Sequence, residues 1–319
     1  MIKVYPIIDS LNVLDISDES YFNDYKDYIS NSRLSLINPD QGGSVEKYLA
    51  KEKMSSGSLL LGSAVHAEIL QPGEFTIVGG VHRPTAKLGL MADELAKYYP
   101  DITDERIIET SNKIDYYKGK MNPSRISDVR EKCTEYWLRR QEIADNNNLY
   151  LDDAAFIKYK GCVKSIKDNP SIQSLLHPEG LFEEPTIHNE LAITIVFEAV
   201  NTETGQVVEL PFKAKLDNYT INDGEVVLND LKTTGHLLQD FPSSFEKYHY
   251  YRQMAVYAWL LRTMCGAMQI PIETLTANML VVSTVPDFYS QVFKVKTSDI
   301  VRGFNEFKSL LHRVAEIYV

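Results

Sequence analysis

The chain has 319 residues, of which 44% are hydrophobic, so it is long enough to bury a large core. Its formal net charge of -11 disfavours tight, non-specific binding to nucleic acid, which needs Lys and Arg, although net charge says little about a single groove. No stretch approaches the ~20 apolar residues of a membrane-spanning helix, and Cys133, Cys162 and Cys265 form no CxxC pair, so we expect a cytoplasmic protein without a disulfide framework or a cysteine metal site.

The first half of the chain is predicted to be mostly helical and to serve as scaffold. Residues 1 to 56 are polar and rich in Tyr and Asp, with a helical turn predicted over residues 44 to 53. Residues 57 to 70 carry apolar side chains at helical spacing and end at a Gln-Pro-Gly sequence, which predicts a helix. Three further helices are predicted between residues 103 and 176 from the same periodicity.

The second half changes to alternating segments that are typical of strands. Three strands separated by short turn signals are predicted over residues 191 to 200, 207 to 217 and 225 to 232. The elements predicted to follow are a helix over 244 to 264 capped at Ser243-Ser244, strands over 277 to 284 and 290 to 296, and a closing helix over 298 to 317.

This order predicts a single α/β domain over residues 1 to 319. We expect a mixed central sheet with an antiparallel meander, flanked by helices. Residues 76 to 188 would form a largely helical insertion, and residues 189 to 319 would form the core.

Acidic residues gather at the ends of the predicted meander. Alternate residues of a strand share a face, so Asp230 and Lys232 point one way and Leu231 the other. The short turn between the second and third strands brings Asp217 beside Asp230. Glu190, which we expect to open the first strand, could reach the same point from the other side. The sequence therefore predicts three carboxylates and one ammonium group around one point.

Such a cluster suits the hydrolysis of a phosphodiester bond. Mg²⁺ and Mn²⁺ prefer oxygen ligands, and a bound metal polarises a phosphoryl oxygen and lowers the pKa of a water molecule. Lys232 would offset the developing negative charge, because neighbouring carboxylates favour the charged form of lysine. The alternative for Asp230 and Lys232 is a strand-end salt bridge. Asp24 and Lys26 have the same spacing without flanking strands, and we interpret them as surface residues.

Several short motifs follow one another between about residues 29 and 261 in the order found in a known family. They are Ser30-Asn31-Ser32-Arg33-Leu34, Gly62-Ser63-Ala64-Val65-His66, Leu70-Gln71-Pro72-Gly73-Glu74-Phe75, Asp230-Leu231-Lys232-Thr233-Thr234 and Gln253-Met254-Ala255-Val256-Tyr257. With them the chain resembles the PD-(D/E)xK nucleases, and more narrowly the RecB-like branch and the phage exonucleases similar to exonuclease VIII. Leu216 is a departure, since many relatives have Gly or Pro at that position.

The resemblance implies a Mg²⁺-dependent exonuclease that digests linear double-stranded DNA in phage-type recombination. It also implies a ring-shaped homo-oligomer and a single-strand annealing protein as a partner. The residues that it assigns by position are the metal ligands His66, Asp217, Asp230 and the backbone carbonyl of Leu231, the catalytic Lys232 and Glu190, and the DNA-binding Gln253, Tyr257, Ser32 and Arg33.

Simpler structural explanations stay open for several of these residues. A lone histidine on an apolar helix, such as His66, is usually a core residue, and Glu190 could only cap a strand. Gln253 and Tyr257 could bridge a helix and the sheet. The run of residues 248 to 252 could stack on nucleic acid, but such runs are more often half-buried helix surface. The alternative functions are an endonuclease or single-strand nuclease of the same fold, and a catalytically silent DNA-binding or assembly module.

Overall fold

The alternating segments of the second half form strands, as the sequence predicts. The computed structural model describes residues 1–50, 57–79, 82–117, 121–144, 148–179 and 185–319. The strands of these residues are β1 (Ile2–Leu14), β2 (Thr76–Val78), β3 (Asn148–Tyr150), β4 (Thr186–Asn201), β5 (Val207–Asn222), β6 (Glu225–Thr234), β7 (Thr274–Ser283) and β8 (Ser290–Lys294).

The helices lie between and after these strands. They are α1 (Asp18–Asn23), α2 (Asn31–Ser35), α3 (Val45–Ala50), α4 (Gly57–Leu70), α5 (Ala86–Ala96), α6 (Asp104–Ile114), α7 (Pro123–Ala144), α8 (Asp153–Lys167), α9 (Pro170–Leu176), α10 (Phe241–Lys247), α11 (Tyr250–Ala267) and α12 (Thr297–Tyr318). Short 3₁₀ helices occur at Pro39–Gln41 and Leu238–Asp240. Within the described part of the chain, no helix is both long and apolar enough to cross a membrane.

The chain divides into two compact units. The first unit comprises Met1–Ser55 and Cys162–Val319, and the second comprises Ser56–Gly161. The first unit contains a six-stranded sheet in the order β1-β4-β5-β6-β7-β8. Neighbouring strands are antiparallel except β6 and β7, which are parallel. The predicted mixed sheet with its antiparallel meander β4-β5-β6 is therefore confirmed.

Tight turns of the predicted kind connect the meander. β5 and β6 are joined by Asp223 and Gly224, whose φ angles are 45° and 78°. Positive φ at both positions is the requirement of a type I′ hairpin turn, which Asp-Gly sequences favour because glycine has no Cβ. The turn fixes the register of the hairpin, so that Asn222 pairs with Glu225 and Asn218 with Asn229.

Apolar side chains of the sheet and of α11 and α12 form the main core of the first unit. Phe212 of β5 is fully buried and meets Phe307 of α12 edge to face, with ring centroids 5.3 Å apart. The N-terminal segment joins this core through Leu34 of α2, which is also fully buried. Packing of this kind explains why strands in the middle of the sheet carry few exposed apolar residues.

The second unit has its own core, formed mainly by α5, α6 and α7. Trp137 is buried there, and its indole Nε1 donates to the carbonyl of Ala92 at 3.0 Å. Asp93 forms an ion pair with Arg83 at 2.6 Å and accepts a hydrogen bond from Tyr136. The unit overlaps the predicted helical insertion and also contains the parallel pair β2-β3.

Three expectations about elements are corrected. The polar first segment contains the 13-residue strand β1, which pairs with β4 at the edge of the sheet. The helix predicted over residues 244 to 264 is two helices, because His249 has a left-handed backbone with φ 53°. The N-cap residue of α10 is Asp240, so the predicted Ser243-Ser244 cap is wrong. The helical turn predicted over residues 44 to 53 is α3, and its last three residues lie outside the described residues.

Candidate active site

Three acidic residues cross the sheet at one level on neighbouring strands. Asn189 pairs with Asn218 and Leu191 with Leu216, so Glu190 of β4 lies opposite Asp217 of β5. Asn218 also pairs with Asn229 of β6, so the next position on each strand holds Asp217 and Asp230. We call Glu190, Asp217 and Asp230 the acid row. The three residues therefore occupy adjacent positions on three neighbouring strands, and their convergence on one cation remains a prediction.

The strands β5 and β6 separate at the acid row. Their ladder consists of five residue pairs and ends at Asn218 and Asn229. The backbone N–H of Leu231, which has lost a backbone partner on β5, donates instead to Oδ2 of Asp217 at 2.8 Å. A buried N–H without a partner is costly, so the carboxylate of Asp217 satisfies the amide exposed by the separation of the strands.

Asp230 is completely buried and is held from two sides. Oδ2 of Asp230 lies 2.6 Å from Nζ of Lys232, which forms an ion pair on the same strand face. Oδ1 accepts a hydrogen bond of 2.9 Å from Nε2 of Gln253 on α11. The same Nε2 lies 3.1 Å from the hydroxyl of Tyr257, one helical turn further on. Gln253 and Tyr257 therefore connect helix and sheet, as the structural alternative expects.

Lys232 keeps its positive charge in this environment. Burial lowers the pKa of Lys232, but the negative charges of Asp230 and Asp217 outweigh burial and raise the pKa above its ordinary value. Burial also raises the pKa of Tyr257, helped by the charges of Asp230 and Asp217. The site thus combines a cationic Lys232 with a neutral Tyr257, and Lys232 is unsuited to act as a free base.

Glu190 lies inside β4 and does not open the strand, which corrects the sequence expectation. Its φ angle is 54°, a conformation that non-glycine residues rarely adopt. Oε2 of Glu190 lies 2.6 Å from Nζ of Lys215, which also forms an ion pair with Asp18 of α1. Burial lowers the pKa of Lys215, but Glu190 and Asp18 outweigh burial and raise the pKa. Lys215 was not singled out by the sequence.

The alternation of β5 shifts at the acid row. Phe212, Ala214 and Leu216 belong to the main core, and so does Tyr219, which is three residues after Leu216. Strict alternation would place two core positions an even number of positions apart. The face that the strand presents to the helices therefore changes at Asp217, opposite the left-handed Glu190.

The donor set of the acid row fits a divalent cation. One carboxylate oxygen of Glu190 and one of Asp217 lie within 4.8 Å of each other. Asp230 contributes a third carboxylate from the neighbouring strand. Hard divalent cations prefer oxygen donors on rigid elements, and these three side chains stand on strands of one sheet. The carboxylate oxygens of the acid row are therefore suitable ligands for such a cation.

The other predicted site residues lie on different elements. His66 is a half-buried residue of α4 in the second unit. Leu231 has a buried side chain, and its backbone belongs to β6 next to β7. The roles of His66 and of the Leu231 carbonyl as metal ligands remain predictions.

Ser32 and Arg33 lie on α2, where Ser30 caps the helix by accepting from the N–H of Arg33 at 3.2 Å. Ser32 is exposed. The guanidinium of Arg33 packs over the ring of Tyr48 and lines a cavity of about 130 Å³. Pro211 is the last residue of β5 that lines this cavity, and it lies about 20 Å along the strand from Asp217 of the acid row. The structure does not bring Arg33 to the acids, and its binding to DNA remains a prediction.

A second row of polar side chains crosses the sheet beside the acid row, and sequence reasoning missed it. It consists of Asn189, Asn218, Asn229 and Asn278 on β4, β5, β6 and β7, and we call it the asparagine row. Each amide donates to the next across the strands, with distances of 2.8, 2.8 and 3.0 Å. The signal was available, because Asn218 and Asn229 each adjoin an aspartate of the acid row.

Comparison with protein families finds a match to the part of the chain that contains this site. Residues 187–318 match a family described as a PDDEXK-like domain of unknown function (DUF3799). That stretch contains the whole acid row and Lys232. This part of the chain is therefore similar to a PDDEXK-like domain, in agreement with the resemblance of its motifs.

The solved structures that match the chain include one from Eubacterium rectale and one from Vibrio cholerae. A protein from Eubacterium rectale described as "Putative exonuclease" is 14% identical, with 96% of this chain and 88% of that chain covered and a TM-score of 0.49. A protein from Vibrio cholerae is 12% identical, with 84% of this chain and 58% of that chain covered and a TM-score of 0.17. No curated protein sequence matches the chain significantly.

Proposed function

We propose that the protein is a metal-dependent deoxyribonuclease that hydrolyses phosphodiester bonds. The observation that carries this proposal is the acid row on three neighbouring strands, with the charged Lys232 beside Asp230. The PD-(D/E)xK-like domain supports the same function because it includes all of these residues. The motif resemblance supports the narrower proposal of an exonuclease that acts on linear double-stranded DNA ends in phage-type recombination.

The proposed cofactor is Mg²⁺, for which Mn²⁺ would substitute. Asp217, Asp230 and the carbonyl of Leu231 would hold the cation, together with His66 of the second unit. A bound divalent cation would polarise the phosphoryl oxygen and lower the pKa of the attacking water. We also propose that residues 1 to 319 act as a single nuclease domain.

The chain's own side chains would supply the remaining chemistry. Lys232 would offset the negative charge that builds on the phosphate, because its pKa keeps it charged. Gln253 would hold the carboxylate of Asp230 in place through its 2.9 Å hydrogen bond. We also propose that Gln253, Tyr257, Ser32 and Arg33 contact the DNA, which rests on the motif resemblance.

The proposed setting is the cytoplasm of a bacterial host or a phage-infected cell. The described cysteines, Cys133, Cys162 and Cys265, are all free and buried, which fits a reducing compartment. The family resemblance supports a ring-shaped homo-oligomer and a single-strand annealing protein as the partner.

The test is hydrolysis of linear DNA by the purified chain. Mg²⁺ should support degradation, and EDTA should stop it. Asp230→Asn and Lys232→Ala should each lower the rate on the order of 10³-fold while the circular dichroism spectrum is unchanged. Asp24→Asn and Lys26→Ala are matched controls, because these exposed residues have the same spacing away from the acid row. Activity that survives both site substitutions contradicts the proposal.

The net charge of -11 favours one other candidate, a catalytically silent DNA-binding or assembly module. Calorimetric titration with Mg²⁺ separates the two candidates. A nuclease should bind Mg²⁺ in the wild type and lose that binding in Asp217→Ala, whereas a silent module should show neither binding nor hydrolysis. Covalently closed circular DNA and single-stranded DNA as substrates would identify an endonuclease or a single-strand nuclease.

A further inference from the structure

A line of aromatic side chains leads from the core of the first unit to its surface beside Lys232. Phe241 is buried, with its ring 4.8 Å from that of Phe293. Tyr250 stacks on Phe241 with centroids 6.0 Å apart and planes 19° apart. Tyr248 follows at 5.6 Å from Tyr250. We call Phe241, Tyr250 and Tyr248 the aromatic row, whose exposed fraction rises from 2% at Phe241 to 45% at Tyr248.

Each of the two outer rings has an ammonium group beside it. Nζ of Lys232 lies 5.6 Å from the ring centroid of Tyr250, and Nζ of Lys247 lies 5.4 Å from that of Tyr248. Proteins that bind single-stranded nucleic acid combine these two features, since aromatic faces stack on bases and cations follow the phosphates. The aromatic row thus extends outward from Lys232, which pairs with Asp230 of the acid row.

The backbone between Tyr248 and Tyr250 is held in place by contacts of His249. Tyr248 follows α10 and Tyr250 begins α11, with the left-handed His249 between them at φ 53°. Such strain persists only where the surroundings hold it in place. Nδ1 of His249 lies 2.7 Å from Oε1 of Glu306 and 2.7 Å from the hydroxyl of Tyr251. The left-handed backbone therefore turns the side chain of His249 towards Glu306 and Tyr251, and the rings of Tyr248 and Tyr250 take no part in these contacts.

Buried polar contacts lock the same region to two more elements. Arg252 is fully buried and donates to Glu306 of α12 at 2.7 Å and to Ser35 of α2 at 2.8 Å. A buried charge that is paired in this way is costly to disturb. Residues 248 to 252 thus divide into a buried locking set and two rings that are available beside the site.

We propose that the aromatic row binds an unpaired nucleobase next to the phosphate that Lys232 faces. The proposal rests on the proposed function, because it takes Lys232 as the group beside the scissile bond. Bases inside a duplex are covered on both faces, whereas an unpaired base offers a free face to Tyr248. The substrate class is therefore DNA with single-stranded nucleotides at its end, and Lys247 contacts its backbone.

Steady-state hydrolysis of a duplex with a short single-stranded overhang, made with each polarity, tests the proposal. Tyr248→Ala should raise KM about tenfold or more and change kcat little, because stacking is lost outside the reacting atoms. Tyr248→Phe should keep the wild-type KM, since the ring remains. Tyr5→Ala is the matched control, because Tyr5 is 49% exposed on the edge strand β1, far from the acid row.

Abasic substrates give the complementary measurement. An overhang without bases should raise the KM of the wild type about tenfold and leave the KM of Tyr248→Ala unchanged. Equal KM values for wild type and Tyr248→Ala on the ordinary overhang would overturn the aromatic row while leaving the nuclease assignment intact.

Binding measurements decide the matter if the wild type proves inactive on every DNA, in which case the proposed function fails. Fluorescence anisotropy with a labelled single-stranded oligonucleotide should still give about tenfold weaker binding for Tyr248→Ala. Equal affinities, or no binding by either protein, overturn the aromatic row. A change of oligomeric state in Tyr248→Ala with unchanged DNA affinity would assign Tyr248 to a protein contact and also overturn it.

Discussion

The acid row and the asparagine row cross the same strands one residue apart, and they differ in how their polar atoms are satisfied. In the asparagine row each amide bonds to the next, and Asn229 has one further bond, to the carbonyl of Leu175 on α9. In the acid row the bonded groups come from outside the row: Lys215, Lys232, Gln253 and the N–H of Leu231.

This difference indicates a structural role for the asparagine row and a chemical role for the acid row. Neutral side chains that bond mainly to one another across four strands help to hold those strands in register. Carboxylates that depend on outside partners can exchange some of those partners for a cation or a substrate. The asparagine row therefore stabilises the register of the sheet, and the acid row provides the groups for chemistry. The two rows are neighbours on β4, β5 and β6.

The largest expected effect on stability comes from breaking the asparagine row at Asn229. Asn229→Leu keeps the size of the side chain but removes the bonds to Asn218 and Asn278 and leaves buried polar atoms of both without these partners. We expect the free energy of unfolding to fall by about 3 kcal/mol. Urea denaturation followed by circular dichroism measures the change.

The neighbouring position supplies the control. Asp230→Asn changes one atom of the next residue and should lower activity far more than stability. If Asn229→Leu proved as stable as the wild type, or if Asp230→Asn unfolded the chain, the division of tasks between the two rows would be wrong.

The next effect concerns Lys213, which lies on β5 two residues before Lys215. Burial lowers the pKa of Lys213 to about 8, and its Nζ donates to the carbonyl of Tyr21 at 2.7 Å, whereas Lys215 pairs with carboxylates. The pKa of the folded state lies below the ordinary 10.5, so the unfolded chain binds more protons between these values. Stability contributed by Lys213 therefore rises with pH across that window.

We expect the wild type to gain about 2 kcal/mol relative to Lys213→Met between pH 7 and pH 10. Paired denaturant titrations at the two pH values measure this gain. A constant difference between wild type and variant would show that Lys213 keeps its charge without a carboxylate partner.

The smallest expected effect tests the outside support of the acid row at Lys215. Lys215→Met removes the ion pairs with Glu190 and Asp18, so Glu190 loses the group that holds it opposite Asp217. Removing a residue that positions a carboxylate beside a metal site typically lowers activity about tenfold or more. Mg²⁺ titrations of the hydrolysis rate should show a higher Mg²⁺ requirement in Lys215→Met and near-normal behaviour in Lys215→Arg. An unchanged requirement would mean that Glu190 needs no support.

Period-two alternation and turn chemistry were sufficient to predict the meander and most of the acid row. Asp217, Asp230 and Lys232 follow from strand spacing and from the Asp223-Gly224 turn, which are local properties of the sequence. The closing helix α12 was predicted from its apolar spacing for the same reason.

The features that sequence reasoning missed depend on contacts between distant residues. Strand β1 pairs with β4, almost 200 residues away, and its half-buried and exposed side chains follow no regular alternation. The left-handed His249 is held by Glu306 of α12, so helix propensity alone predicts one continuous helix there. Glu190 was placed at a strand end because no local pattern reveals a left-handed residue inside β4.

The closeness of the two rows also bears on misfolding. Side chains alternate along β6, so a slip of one residue against β5 would exchange the two faces. Asp230 and Lys232 would move to the other face together, and Asp230 would lose Gln253 and be buried near α9, where Asn229 now lies 3.3 Å from the carbonyl of Leu175. Separating a buried charged group from the groups that satisfy it costs several kcal/mol. The side chains proposed for catalysis would thus also disfavour a sheet in which β5 and β6 are wrongly aligned.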